Sequence, residues 1–346
     1  MAYVRSKFYP PRRHRKTPDT TGNIFITFMI LTTVTVCYII GYLKTHALWG
    51  GRRRPIPEDD TPLTGRDIRS VYNFTQVNTS HPKLTYILYP TTVCGVFKGN
   101  ASNFPHILII VKSLPESFHI RQWLRYALQH YTESNEHFKI VFLLGQSKSS
   151  STEELIKEES KRHSDIIQGN FTDIGRNTTY KTIMGFRWAL HYCQETQFLF
   201  FQDEDIKINF QNLLTFLKEE DDPESLYVGK LVRKEKLTFK DKKHPKYIPR
   251  EEYPLNSLPP YISTGAYILS IDVATTMESN FDSVKMVHVD DVFLALVAMF
   301  SDVILMHSKK IALENCAKFR KNIACRTFTS VQDSLDVWKE FAGSNI

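Results

Sequence analysis

The chain has 346 residues, of which 42% are hydrophobic, 12% aromatic and 23% charged. That balance excludes a disordered, collagen-like or disulfide-knotted chain, and the length accommodates one large domain or two of ordinary size. The formal net charge is +7, but the first 23 residues hold six cations and one anion, Asp19, and the remainder carries only +2; the charge therefore marks a basic tail at a membrane surface rather than a nucleic-acid-binding face.

That tail (Arg5, Lys7, Arg12, Arg13, Arg15, Lys16) precedes an uncharged run over residues 24–43, "IFITFMILTTVTVCYIIGYL". About 20 apolar residues span a bilayer as a helix. The run lacks the polar stripe of a buried core helix and is longer than the apolar part of a cleaved signal peptide. It predicts a retained transmembrane anchor, with residues 1–23 cytoplasmic by the bias of flanking cations. The sequons at Asn73, Asn78, Asn100, Asn170 and Asn177 all follow the anchor. Glycosylation at such sites requires a lumenal or extracellular location. Residues 44–83, poor in apolar side chains, read as a lumenal stem, and residues 84–346 as the folded domain. Cys37 falls inside the anchor, leaving Cys94, Cys193, Cys316 and Cys325 for up to two disulfides. Cys316 and Cys325 enclose a short loop, but spacing leaves the connectivity open. No C-x-x-C pair is present, which argues against a structural zinc site.

From residue 84 onward, short apolar runs alternate with helical patterns. The runs are 107–111, 139–145, 165–167, 198–201 and 226–229; the helical patterns are 117–131, 151–163, 179–193 and 210–219. Ser151 and Glu154 stand at capping-box spacing at the start of the second helix. Strands apolar throughout, separated by helices, predict an α/β fold with a mostly parallel sheet covered on both faces. Such sheets bind ligands at the carboxyl ends of their strands.

At that position, after "FLFF", come Asp203, Glu204 and Asp205. Three adjacent carboxylates repel one another and are costly to bury. A hard divalent cation held by one or two carboxylates and shared with a diphosphate would neutralise them. The plain alternative is a solvated acidic turn, or an acidic start to the next helix. The sequence contains no G-x-x-x-x-G-K-[ST], G-x-G-x-x-G or G-x-S-x-G pattern, so P-loop, dinucleotide and serine-hydrolase readings lack support. Downstream, "YPLNSLPPYISTGAYILS" makes a rigid aromatic wall suited to a sugar face. In "VHVDDVFLALVAMF", Asp290 and Asp291 open a helical run. The helix dipole accounts for one acidic residue there; a second, facing the ligand of the triplet, has the makings of a general base.

Together these segments resemble the β-1,3-galactosyltransferase family (glycosyltransferase family 31) from Tyr86 to Trp338. "ILIIVKSLPESFHIRQWLR" is similar to the family's first strand and its R-x-x-I-R segment, placing Lys112, Ser113, Arg121 and Arg125. "ESKRHSDIIQGNFTDIGRNTTYKT" resembles its E-x-x-x-x-D-I-I-x-x-D-F-x-D-x-Y-x-N-L-T-x-K-T block through Glu159, Asp165, Phe171, Asp173, Asn177, Thr179, Lys181 and Thr182. "FQDEDIKIN" corresponds to D-D-D, "PPYISTGAYILS" to P-P-Y-C-S-G-G-G-Y-V-L-S, and "VDDVFLA" to E-D-V-Y-x-G. The resemblance implies a type II Golgi membrane protein with a GT-A fold. It implies inverting transfer of galactose or an N-acetylhexosamine from a UDP-sugar to a glycan acceptor on glycoprotein or glycolipid, forming a β-1,3 linkage with Mn2+ on the diphosphate. By position it makes Asp205 the main metal ligand with Asp203, sets Asp203 and Glu204 near ribose and metal, puts Ser113, Arg121, Arg125 and Lys181 in the donor-binding segments, and makes Asp291 the general base. The departures are Asn170, Gly175, Ile262, Thr264 and Ala266 in place of family Asp, Tyr, Cys, Gly and Gly. A family metal-binding His near the C-terminus has no counterpart, and His307 lies upstream at a different spacing. The competing reading is a catalytically inactive fold used as a Golgi binding or scaffold protein.

Overall fold

The computed structural model describes residues 83–95, 105–131, 137–219, 224–233, 247–253, 258–313, 316 and 319–326. These residues belong to one compact unit, Pro62–Ile346. The expected anchor at 24–43, the stem through residue 82 and the sequons at Asn73, Asn78 and Asn100 lie outside the described residues. Among the described residues no helix is long and apolar enough to cross a membrane.

In chain order the elements are β1 (Tyr86–Leu88), β2 (Ile107–Lys112), α1 (Phe118–Tyr131), β3 (Phe138–Gln146), α2 (Ser150–His163), β4 (Ile166–Thr172), α3 (Thr178–Tyr192), β5 (Phe198–Asp203), β6 (Ile206–Ile208), α4 (Phe210–Glu219), β7 (Tyr227–Val232), β8 (Tyr261–Ser270), α5 (Ile271–Glu278), α6 (Asp290–Phe300), β9 (Met306–His307), β10 (Ile311–Ala312) and β11 (Ala324–Arg326). The main sheet has the order β1-β4-β3-β2-β5-β8-β7-β9, and a second sheet has the order β10-β11-β6.

The central strands β4, β3, β2 and β5 are parallel, as all-apolar strands separated by helices predict. Side chains alternate between two cores. Leu108, Ile110, Leu143, Leu199 and Phe201 face α3, α5 and α6, whereas Ile107, Ile109, Phe142, Phe198 and Phe200 face α1 and α4. Each buried Leu, Ile or Phe contributes about 1.5–3 kcal/mol relative to exposure. Both faces of β5 are thus occupied, which is why its sequence shows no polar alternation. The helix α3 is buried almost all round. At Gly185 it presses so close to the sheet that a Cβ would lie 2.7 Å from Leu143 Cδ1 and 3.0 Å from Phe201 Cε1.

The sheet is mostly parallel and mixed, as expected of the GT-A resemblance: β8 runs antiparallel between β5 and β7, and β1 runs antiparallel to β4. Two sequence expectations need correction. β8 covers the whole of "YISTGAYILS", so the aromatic wall is itself a core strand. The cap of α2 is Ser149 rather than Ser151: the Ser149 hydroxyl accepts from the Thr152 N–H at 3.3 Å. Glu153, in place of Glu154, accepts from the Ser147 N–H and the Gln168 amide. Ile156 and Glu159 are the buried residues of α2.

Disulfides join Cys94 to Cys193 and Cys316 to Cys325, with Cα separations of 5.0 and 5.2 Å. The first ties the segment after β1 to the end of α3. The second staples β11, the middle strand of the small sheet. Ile262, at the place of a family Cys, is a buried core residue.

Candidate functional site

The carboxyl ends of β2 and β5 lie side by side in register, with Lys112 opposite Asp203. Register alone brings these opposite charges together. Lys112 Nζ lies 2.9 Å from Asp203 Oδ1 and also 2.9 Å from Asp290 Oδ2 at the start of α6. It donates in addition to the Thr264 carbonyl on β8 at 3.1 Å. Burial alone would depress the ammonium pKa, but the two aspartates more than reverse this and hold it above its ordinary value. Lys112 therefore stays charged, and one buried cation links β5, β8 and α6.

Asp290 and Asp291 face different partners. Asp290 accepts from Lys112, from the Thr182 hydroxyl at 2.9 Å and from the Thr264 hydroxyl at 3.1 Å. Burial pushes its carboxyl up, and Lys112 with the two hydroxyls brings it below the usual range. Asp291 Oδ1 accepts from the Thr264 backbone N–H at 2.7 Å. Both side chains are buried. Thr264, which departs from the family pattern, is the hub: its carbonyl, N–H and hydroxyl engage Lys112, Asp291 and Asp290 respectively. A glycine there could not supply the hydroxyl. The Tyr227 phenol, near both aspartates, is raised well above its ordinary value by burial and then by their charge, and it stays neutral.

The acidic turn divides its labour. Glu204 faces inward. Its Oε2 accepts from the Ser113 hydroxyl at 2.8 Å and the Leu114 N–H at 2.9 Å, and its Oε1 from the Ser117 hydroxyl at 2.8 Å. It is a clamp on the 113–117 loop, with both oxygens accepting hydrogen bonds from the protein. Arg121 and Arg125 are likewise engaged within the protein. Arg121 is fully buried, forked onto Glu159 with a shortest contact of 2.7 Å, and it supports the loop from beneath through Ser113 Oγ, the Leu114 carbonyl and the Pro115 carbonyl. Arg125 forks onto Asp165 at 2.6 and 2.7 Å and reaches Glu159 at 2.7 Å. Lys181 is buried against Asp173 at 2.8 Å and donates to the Ser113 carbonyl; burial lowers its pKa despite Asp173. These residues shape the loop and do not face solvent.

Asp203 and Asp205 face outward, each about one-third exposed. Across them lies Arg326 of β11, with Nη2 3.2 Å from Asp203 Oδ2 and Nε 2.9 Å from Asp205 Oδ2. Burial pushes the Asp205 carboxyl up, Arg326 opposes this, and Asp203 adds to the rise.

The galactosyltransferase family profile matches residues 120–309, a span that contains Asp203, Asp205, Asp290 and Asp291. The chain belongs to the galactosyltransferase family. It is a hexosyltransferase by that membership. Beta-1,3-galactosyltransferase brn of Drosophila melanogaster is 32% identical over 220 residues, covering 61% of this chain and 66% of that protein. Beta-1,3-galactosyltransferase 5 of Gorilla gorilla gorilla is 29% identical over 247 residues, covering 68% and 81%. The human lactosylceramide 1,3-N-acetyl-beta-D-glucosaminyltransferase is 30% identical over 246 residues, covering 67% and 65%. A solved glycosyltransferase involved in glycosylation of the major capsid of PBCV-1 covers 68% of this chain at 14% identity with a TM-score of 0.35, too low to carry an argument about the fold.

In this family member no three His, Cys, Asp or Glu side chains converge as a metal-holding group among the described residues. The donor chemistry nevertheless fits a hard divalent cation of the Mg2+ or Mn2+ type. Asp203 and Asp205 offer carboxylate oxygens, and one or two carboxylates completed by substrate phosphates suffice for such ions. Five carboxylates, Asp203, Glu204, Asp205, Asp290 and Asp291, stand against Lys112 and Arg326, with Lys181 paired to Asp173 beside them, so the site is net negative. His307 does not complete a shell. It lies on β9, three strands from β5 and roughly 14 Å away at ordinary strand spacing, and its Nδ1 accepts from the Leu231 N–H. Of the sequons, Asn170 is exposed on β4 and Asn177 half-buried before α3; their amides donate to the Lys83 and Thr172 carbonyls.

Sequence reasoning named Lys112 and Thr182 as residues that keep the family pattern but gave them no role at the site, and it passed over Arg326. A lysine ending an all-apolar strand was a signal for the first, since such a strand end needs a counter-charge. Nothing local marks Arg326, whose partner Asp203 stands 123 residues away.

Proposed function

We propose that this protein transfers galactose or an N-acetylhexosamine from a UDP-sugar to a glycan hydroxyl, with inversion and a β-1,3 linkage, using a GT-A-type sheet and a divalent cation at Asp203 and Asp205. The observation that carries this reading is the Lys112 bridge. It joins Asp203 of the acidic turn after β5 to Asp290 at the start of α6, which supports a leaving-group site and a base at one end of the sheet. A cation at the acidic turn would supply Lewis-acid neutralisation of the departing diphosphate. Asp291 is assigned the role of general base. It would take the proton of the acceptor hydroxyl as the oxygen attacks the anomeric carbon, and a single displacement inverts configuration. Asp290 keeps the helix start fixed, its oxygens being engaged by Lys112 and two threonines. Thr264 aims Asp291 through its backbone N–H.

By the same reading the protein is a type II Golgi membrane enzyme with residues 44 onward lumenal and the acceptor on a glycoprotein or glycolipid. The names of its relatives support hexosyl transfer to a 3-hydroxyl. The test is transfer by the soluble domain from UDP-galactose, UDP-N-acetylglucosamine and UDP-N-acetylgalactosamine to a panel of glycans, with linkage read by NMR. Asp291→Asn should lower kcat by about two to four orders of magnitude, the usual contribution of a general base, with UDP-sugar affinity unchanged. Asp205→Asn should abolish most turnover in a folded protein. A folded wild-type domain inert toward every donor and acceptor would favour the scaffold reading instead.

A further inference from the structure

Arg326 is the one residue at the acidic turn that the reaction outlined above does not use. Its strand, β11, pairs antiparallel with β6, and Arg326 stands opposite Ile206, one residue past Asp205. The preceding residue, Cys325, is bonded to Cys316, so the strand that carries the guanidinium is stapled in place. Room for the guanidinium comes from Gly265 on β8: a Cβ there would lie 3.2 Å from Arg326 Nη2 and 3.1 Å from Leu313 Cδ1. The guanidinium is only partly covered: the side chain is 41% exposed, although its Nε is buried. Two of its nitrogens meet Asp203 Oδ2 and Asp205 Oδ2, and Nη1 makes no hydrogen bond among the described residues.

A divalent cation bridging the two aspartates would need the same outward oxygens. Arginine and metal are therefore alternatives at one pair of carboxylates. The guanidinium carries one charge against the two carboxylates it spans, and the site as a whole is net negative, so Arg326 answers part of the charge and leaves the site attractive to a divalent ion. On displacement the guanidinium keeps its place beside the site, and the phosphates of a nucleotide become its natural acceptors, since a guanidinium fork matches phosphate oxygens.

We propose that Arg326 is a placeholder cation: it closes Asp203 and Asp205 in the empty enzyme, is displaced by the divalent ion, and passes to the diphosphate, so that metal and nucleotide bind cooperatively. This rests on the transferase reading for the identity of the site, but its test reads binding rather than turnover. Mn2+ binding to the soluble domain is measured by EPR of the free ion, with and without UDP. Wild type should bind Mn2+ weakly alone and more tightly with UDP. Arg326→Gln should bind Mn2+ alone more tightly, by a few-fold up to about thirtyfold, as loss of two competing surface ion pairs predicts, and UDP should then enhance binding less than in wild type. Arg326→Lys, too narrow to span both carboxylates, should fall between them and serves as the second variant should the Gln variant melt early. The proposal is overturned if the folded Arg326 variants bind Mn2+ no more tightly than wild type, or if UDP enhancement is undiminished. Absence of Mn2+ binding in every protein, with transfer intact, overturns the placeholder and leaves the transferase standing.

Discussion

Replacing Lys112 by Met tests whether one buried ammonium holds the two halves of the site together. The side chains of Lys112 and Asp290 are 4% and 7% exposed, and that of Asp203 is 35% exposed. Methionine fills most of the lysine volume, so the effect is electrostatic. Asp203 keeps Arg326 and water, and its loss is that of a surface pair, about 0–1 kcal/mol. Asp290 keeps only the Thr182 and Thr264 hydroxyls among its named partners. A buried charge stripped of its counter-ion costs about 3–5 kcal/mol, a large part of the roughly 5–15 kcal/mol available to a domain. At about 2–4 °C per kcal/mol for this size, Tm should fall by about 6–20 °C. Asp290→Asn alone should also destabilise, by about 1–3 kcal/mol for an unsatisfied buried group. This exceeds the about 0.3–1 kcal/mol of a simple helix-dipole contact, because Asp290 is a buried ion-pair partner. Combining the two changes removes the stranded charge along with its partner, so the double variant should be more stable than Lys112→Met alone. Urea denaturation followed by circular dichroism measures all four proteins. The reasoning is refuted if Lys112→Met costs less than about 1 kcal/mol, or if the two losses simply add.

Glu159→Gln probes the arginine cluster beneath the loop. Burial pushes the Glu159 carboxyl up, but Arg121 and Arg125 more than reverse this, so its folded pKa is depressed. A depressed carboxylate contributes stability above its unfolded pKa, about 4.3, and loses it as pH falls through the folded value; the variant should be destabilised at pH 7, with the gap narrowing below about pH 4. An unchanged gap across that window would count against the pairing. Gly185→Ala should cost about 1–3 kcal/mol through overpacking, because its Cβ would meet Leu143 and Phe201; a neutral or stabilising result in melting would mean that the sheet yields there. Intact microsomes should protect the C-terminal domain from added protease until detergent is present, and digestion without detergent would rule out the lumenal topology.

The central strands and most helices were legible because their signals are local. Phe198 to Phe201 must be buried on both faces, and a strand between two helical layers is the only place for them. The direction of β8 was not legible: parallel and antiparallel strands buried on both faces carry the same apolar residues. The cap of α2 was misplaced for a related reason, since Ser149, Ser150 and Ser151 offer equivalent hydroxyls and only the fold of the preceding turn selects among them. At the site, motif order led to Asp203, Glu204, Asp205, Asp291 and Arg121 alike, but not to the partners that hold Glu204 and Arg121. Their chemistry suits ligands equally well, and only packing reveals that their polar atoms are already engaged within the protein.

The strand order also dictates when the site can come into being. Lys112 and Asp290 are 178 residues apart in the chain, so a ribosome working at about 5–20 residues per second delivers the lysine roughly 10–35 s before its partner. In that interval β2 and β3 have emerged, and β5 exposes an edge that β8 will later occupy. An unpaired apolar edge strand invites the wrong neighbour. Non-local pairings such as Lys112 with Asp290 are slow to form for the same entropic reason. The nascent domain therefore passes through a stage in which an apolar edge is open and the centre is unmade, until the last third of the chain has arrived.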